Sequence, residues 1–406
     1  MQELTYELLL SACRPGGSSV LTAKTELRPA AGDEAGIAPA RYVRGRDAAY
    51  AFETRYAALS PGGEPEPVQV VVVASKGASL NHVEAALSQA IADGHPLLSL
   101  TPHMQVTYPD QEPVTELELP HRAFDGHIRV GSVDGKPVTA HPAYRDARNA
   151  TPANARALMQ MSPISLVLGC WDSTRKGSQV RMRSALVGET IGILADQSPR
   201  GNEIPKRGAA RFDAIAPSVR LKAEDMKSLL GTQRDEMSSK KVEAIETEIN
   251  KSKKGTLSAA ELVLGSIPPS LTGLGFVSCR RIIRTNVLSF SALRQIRFGL
   301  GADGDAAARA LLAALALNGL ARSYAELHYR ANCDLVEVGP GVFELDGRYG
   351  VRLALEPLSI PVVDRILDRA IREAREVGIV WDGAVFAVEG NPLVAGGIEA
   401  DDDAAE

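Results

Sequence analysis

Between Trp171 and Arg183 the chain places one tryptophan, one carboxylate at Asp172, hydroxyls at Ser173, Thr174 and Ser178, and four cations, Arg175, Lys176, Arg181 and Arg183. These residue types suit phosphate. Arginine offers permanently charged, bidentate donors, and hydroxyls with backbone amides complete a cradle. Such a loop grips a nucleic-acid backbone without reading base sequence, and its affinity falls steeply with salt. Trp171 follows an apolar run, so it is read as a core residue, with a stacking role as the alternative. A second cluster, Arg280, Arg281, Arg284, Arg294 and Arg297, lies in a stretch from 276 to 302 that contains no acid.

The formal net charge of -5 seems to oppose a polyanionic partner. Five of the negative charges, however, sit in the last eight residues, at Glu399, Asp401, Asp402, Asp403 and Glu406. The rest of the chain is close to neutral, and its cations are unevenly placed. Between Trp171 and Lys222 ten Lys or Arg face five Asp or Glu, which makes a local polyanion footprint.

Other chemistry is more weakly signalled. In PHRAFDGHIR, His121, Asp125 and His127 offer metal ligands or an acid/base pair, so a metal-dependent nuclease is the alternative function. Their spacing fits no strong zinc or hydrolase motif, and ordinary loop histidines are the plainer reading. No GxSxG elbow or HExxH pair is present, and Lys76-Gly77 lacks the glycine spacing of a phosphate-binding P-loop. The four cysteines, Cys13, Cys170, Cys279 and Cys333, form no CxxC pair and read as reduced packing residues. Neither a metal nor another cofactor is expected. With no secretory leader and no long apolar span, the expectation is a cytoplasmic protein without a membrane partner.

The elements that must position these residues follow from pattern. At 406 residues the chain is long enough for two domains or one core with large insertions. VQVVVVA, 68–74, reads as a buried strand leading to a helix that starts at Asn81 with Glu84 in a capping box. Residues 100–163 are irregular and proline-rich. A strand is expected at 165–170, and RMRSALVGETIGIL reads as a helix or a strand-helix junction. A protruding basic loop follows, and 223–254 carries Met226, Leu230, Val242, Ile245 and Ile249 at helical spacing. CRRIIRTNVLSF predicts a strand and a helix start. The stretch from Asp305 reads as an apolar core helix with Asn318-Gly319 as its stop, and 361–377 as an amphipathic helix. Strands separated by helices indicate an α+β or α/β core.

Taken together, SPISLVLGCWDSTRKGSQVRMRSALVGE resembles a segment of the RAMP-superfamily backbone subunit of type I-G (formerly I-U) CRISPR effector complexes. ASKGASLNHVEAAL, LPHRAFDGHIR, GSIPPS, NVLSFSALRQIRF with ARALLAALAL, and YRANCDL resemble the same family in the same order. The resemblance implies an α+β fold, a modified RRM-like (ferredoxin-like) palm spanning 1–406. It further implies a finger-like insertion near 100–163 and a thumb hairpin with a helical insertion near 196–258, while the acidic tail over 396–406 is expected to be disordered from its composition. It implies a non-catalytic subunit that polymerises with other copies of itself in a helical filament along CRISPR RNA. The guide would be presented to a target DNA strand, beside a large subunit and an RNA-processing end-cap subunit. By that likeness RNA would lie against Lys76, Asn81 and Arg122, the loop residues Ser173, Thr174, Arg175 and Lys176, and Arg181 and Arg183. The candidate thumb would add Arg200, Lys206, Arg207 and Arg211, and the second cluster Arg280, Arg281 and Arg284.

Overall fold

The computed structural model describes every residue except 45–46, 110, 173–180, 203–205, 208–218, 252–255, 263, 265–272 and 396–406. Chain contacts divide it into two compact units. The first takes Met1–Tyr42, Tyr50–Asn202 and the described residues from Val277 onward, and the second the described residues of Val43–Ala49 and of Glu203–Phe276.

The first unit is built on an antiparallel sheet. Its strands run in the order Arg352–Leu355, Val342–Asp346, Val20–Pro29, Cys279–Ser289, Leu186–Leu194, Glu66–Ala74 and Phe52–Ala57, with Leu335–Glu337 also paired to Val20–Pro29. Val20–Pro29 and Leu186–Leu194 flank Cys279–Ser289, so Leu21, Ala23, Thr25 and Leu27 share a face with Leu288, Asn286, Arg284 and Ile282. On that face pack the helices Lys76–Ala92, Gly301–Glu326 and Ile360–Glu376, and one continuous core joins them to the sheet. This is the α+β, RRM-like arrangement anticipated from the sequence.

Alternation explains the buried strands, and its failure explains one misreading. Leu186–Leu194 is a strand and not a helix, because its inward side is Leu186, Gly188, Thr190, Gly192 and Leu194. Two glycines and a threonine hide the apolar period of two that would have announced it. The glycine at 188 is required by its neighbour, since a Cβ there would run into the Asn286 amide. Residues 163–167 form a short helix, not the expected strand, and only Cys170–Trp171 is extended.

Two helix boundaries also differ from expectation for physical reasons. The helix placed at Asn81 begins at Lys76, because the Ser75 hydroxyl accepts from Ala78 N at 3.3 Å and caps it earlier. The core helix does not stop at Asn318-Gly319 but continues to Glu326. There Asn318 is fully buried and donates to Asp364 Oδ1 at 2.7 Å, while a Cβ on Gly319 would lie 2.8 Å from Leu87 Cγ and Val83 Cγ1. The dipeptide lets two helices approach closely.

Residues 100–163 lie within the first unit and share its core through Met104, Val106, Phe124 and Tyr144. Part of this stretch forms a small sheet in which His103–Thr107 runs parallel to Val385–Glu389. The second unit has its own cluster, in which Met226 and Leu230 of helix Ala223–Gln233 meet Val242, Ile245 and Ile249 of helix Ser239–Lys251. No helix among the described residues is long and apolar enough to cross a membrane. The acidic tail, expected to be disordered, lies outside the described residues.

Candidate nucleic-acid interface

The tryptophan-arginine stretch folds as a hairpin in which Cys170 pairs with Met182 and Trp171 with Arg181. Directly opposed residues share a face. Cys170 and Met182 point into the core, so Trp171, Arg181 and Arg183 point to solvent. Trp171 is therefore not a core residue: it is 45% exposed, and the Arg181 guanidinium lies 5.4 Å from its ring centroid. The hairpin leaves the core through Gly169, whose φ of +90° and whose 2.8 Å spacing from a notional Cβ to Ser184 N admit no side chain.

Asp172 does the opposite of its neighbour. Only 1% exposed, its carboxylate accepts from Arg148 Nε at 2.7 Å and Arg129 Nη1 at 3.3 Å. A buried carboxylate is tolerated because two guanidiniums flank it. The acid that follows Trp171 is thus engaged inward, and Glu189, nearer to Arg181 and Arg183 in sequence, is paired with Arg55. Neither arginine has a carboxylate partner among the described residues.

Segments far apart in sequence are fastened beneath this hairpin. Arg122 donates from Nε to Glu84 Oε1 at 2.5 Å and from Nη1 to the Gly169 carbonyl at 2.8 Å. Glu84 is buried, and burial pushes its carboxyl above the ordinary value against the pull of Arg122. Arg122 is therefore turned inward as a clasp, where the sequence reading had it facing RNA. Glu84, read as a cap residue, is its counter-charge. Lys76 and Asn81, on the first turns of the same helix, are exposed.

The second cluster is divided. Arg280 is exposed, and one of its amino groups donates to the Ala195 carbonyl at 2.9 Å. Arg281 grips Glu26 with both ends of its fork, at 2.9 and 2.6 Å, and donates to the Ala58 carbonyl at 2.8 Å. This pairing holds the Glu26 carboxyl below its ordinary value. Arg284, 6% exposed, donates to Glu337 Oε1 at 2.6 Å and lies 3.4 Å from the Tyr324 ring centroid. Arg284 lies on the helix-covered face of the sheet, and Arg281 on the opposite face, where Glu26 and the Ala58 carbonyl hold it. Of the remaining arginines in that stretch, Arg294 donates to the carbonyls of Ala12 and Ser18.

Ser173, Thr174, Arg175 and Lys176 lie outside the described residues, as does Arg211. Arg200 falls in the turn Pro199–Asn202, and Lys206 and Arg207 form a short strand paired with Gly273–Leu274.

The residues of the alternative nuclease do not converge. Asp125 is buried and caps the turn Gly126–Arg129, accepting from His127 N at 2.9 Å and His121 N at 3.2 Å. His127 Nδ1 meets the Tyr108 hydroxyl at 2.7 Å. Among the described residues no group of three or more His, Cys, Asp or Glu is arranged to hold a metal ion. The four cysteines are free, and burial pushes the thiols of Cys13, Cys170 and Cys279 up to about 12 and that of Cys333 to about 11.

Comparison with known proteins adds one family. Residues 21–197 match the model of a family described as CRISPR-associated protein GSU0053, a little under half of the chain. The matched span runs from the first long strand, through the Arg122 clasp and the hairpin, to the end of Leu186–Leu194. No curated protein matches the sequence.

Proposed function

From the match of residues 21–197 to a CRISPR-associated protein family, we propose that the chain is a non-catalytic, CRISPR-RNA-binding backbone subunit of a type I effector complex. Several copies polymerise along the guide RNA and present it to a target DNA strand, beside a large subunit and an RNA-processing end-cap subunit. The type I-G assignment rests on the sequence resemblance. The observation that carries the RNA reading is the outward face of the hairpin, where Arg181 and Arg183 stand exposed while the adjacent Asp172 is neutralised inside. Lys76, Asn81 and Arg280 are the other exposed members of the binding set. Arg122, Arg281 and Arg284 hold the palm together.

The test is to co-express the chain with a CRISPR array and its companion subunits, purify it, and sequence the nucleic acid it retains. Discrete repeat-spacer RNA in a multi-copy particle is expected. A chain that carries no RNA, and stays free of added RNA at low salt, overturns the reading.

A further inference from the structure

The chain contains two tryptophans, and the fold treats them oppositely. Trp381 is 1% exposed in the core, whereas Trp171 keeps nearly half its surface in water on a hairpin whose opposite face, Cys170 and Met182, is buried. Leaving an indole in water forfeits the burial that its large apolar area would otherwise gain. The position is nonetheless tightly determined. Trp171 is fixed by its register with Arg181, by the Asp172 carboxylate anchored on Arg129 and Arg148, and by Gly169 at the base of the hairpin.

The charge around the ring selects its occupant. Arg181 lies over the indole and Arg183 follows one residue beyond Met182, both exposed, while the carboxylate next to Trp171, Asp172, is sealed inside and Glu189 is taken by Arg55. An apolar protein surface would have to desolvate both guanidiniums without compensation. A nucleotide answers both features, because its base offers a π-face to the indole and its phosphate an acceptor to the arginines.

We propose that Trp171 is a base-stacking platform, on which one nucleobase of a bound single-stranded RNA rests while Arg181 and Arg183 hold the flanking phosphates. The stacking is tolerant of base identity, since every base has a π-face. The proposal rests on the RNA-binding reading above and adds to it a contact with a base.

With Trp381 buried, quenching of intrinsic fluorescence by RNA reports on Trp171. The experiment titrates the full chain with oligouridine and with an otherwise identical oligomer containing abasic sites, following emission and, separately, binding by filter retention. Oligouridine is expected to quench and to bind more tightly than the abasic oligomer. Trp171→Ala should weaken oligouridine binding roughly 5- to 100-fold and bind both oligomers alike, with Trp171→Phe in between. If oligouridine is retained without quenching and Trp171→Ala binds it as the parent does, the stacking platform is wrong and the RNA reading stands. If neither oligomer is retained at low salt, both fall. Quenching in the parent protein and the Phe variant decide the matter even if the Ala variant does not fold.

Discussion

The hairpin around Trp171 and the strand Cys279–Ser289 are both dense in arginine, and they use it in opposite ways. On the strand, Arg281 and Arg284 have no acid nearby in sequence, yet each meets a carboxylate, Glu26 and Glu337, brought from another strand of the sheet. In the hairpin an acid belongs to the same short stretch as the cations, yet Asp172 turns inward to Arg129 and Arg148 and leaves Arg181 and Arg183 facing solvent. Counting charges along the chain therefore ranks the two regions wrongly. On a sheet face covered by other parts of the chain, a cation must be paired to be buried, as Arg284 is, whereas Arg280 on the same strand stays exposed. A two-stranded hairpin exposes one side, so its cations need no partner.

The contrast can be broken by substitution, beginning where the effect is greatest. Asp172→Ala leaves two guanidiniums facing each other without their shared carboxylate, and should cost about 4 kcal/mol in urea unfolding. Arg284→Ala removes a nearly buried cation from Glu337 and Tyr324. It should cost about 3 kcal/mol while leaving RNA affinity of the folded protein unchanged. Arg281→Ala should cost about 1.5 kcal/mol, less because Arg281 is the less deeply buried of the two arginines. If either strand variant unfolds like the parent but loses RNA, the division into clasp and contact is wrong.

The smallest effect is a pH dependence. Because Arg281 lowers the Glu26 pKa in the folded chain, the pair contributes stability that is present above the ordinary glutamate value of about 4.3 and fades as pH falls through the lowered one. Unfolding followed between pH 6 and 3 should show a shallower acid loss in Arg281→Ala than in the parent. An acid loss identical in both proteins would remove the Glu26 pair as a source of stability.

What was legible in the sequence was what local periodicity carries. The helix Ile360–Glu376 shows Val363, Ile366, Leu367, Ala370, Ile371 and Ala374 on one side, and all are buried. The run of valines ending at Ala74 is a strand for the same reason. Leu186–Leu194 was misread because Gly188, Thr190 and Gly192 occupy its inward positions. The site was harder to read, because exposure depends on partners remote in sequence. Nothing near Arg122 shows that Glu84 and the Gly169 carbonyl will enclose it, and nothing near Trp171 shows that Cys170 and Met182 will take the inward places. The one available signal was the alternation C-W opposite R-M-R, which places Trp and both Arg on one side once the hairpin is assumed.

The central claim is that the hairpin cations contact RNA and the enclosed strand cations, Arg281 and Arg284, do not. It is tested most directly by measuring single-stranded RNA affinity against salt for Arg181→Ala/Arg183→Ala beside Arg281→Ala, each shown to be folded. The account predicts that the hairpin double variant binds at least about tenfold more weakly, with a salt slope smaller by roughly 1.4 for the two lost phosphate contacts. Arg281→Ala should keep the parent slope. A hairpin variant that binds as tightly as the parent, or a strand variant that loses the same affinity and slope, would contradict it.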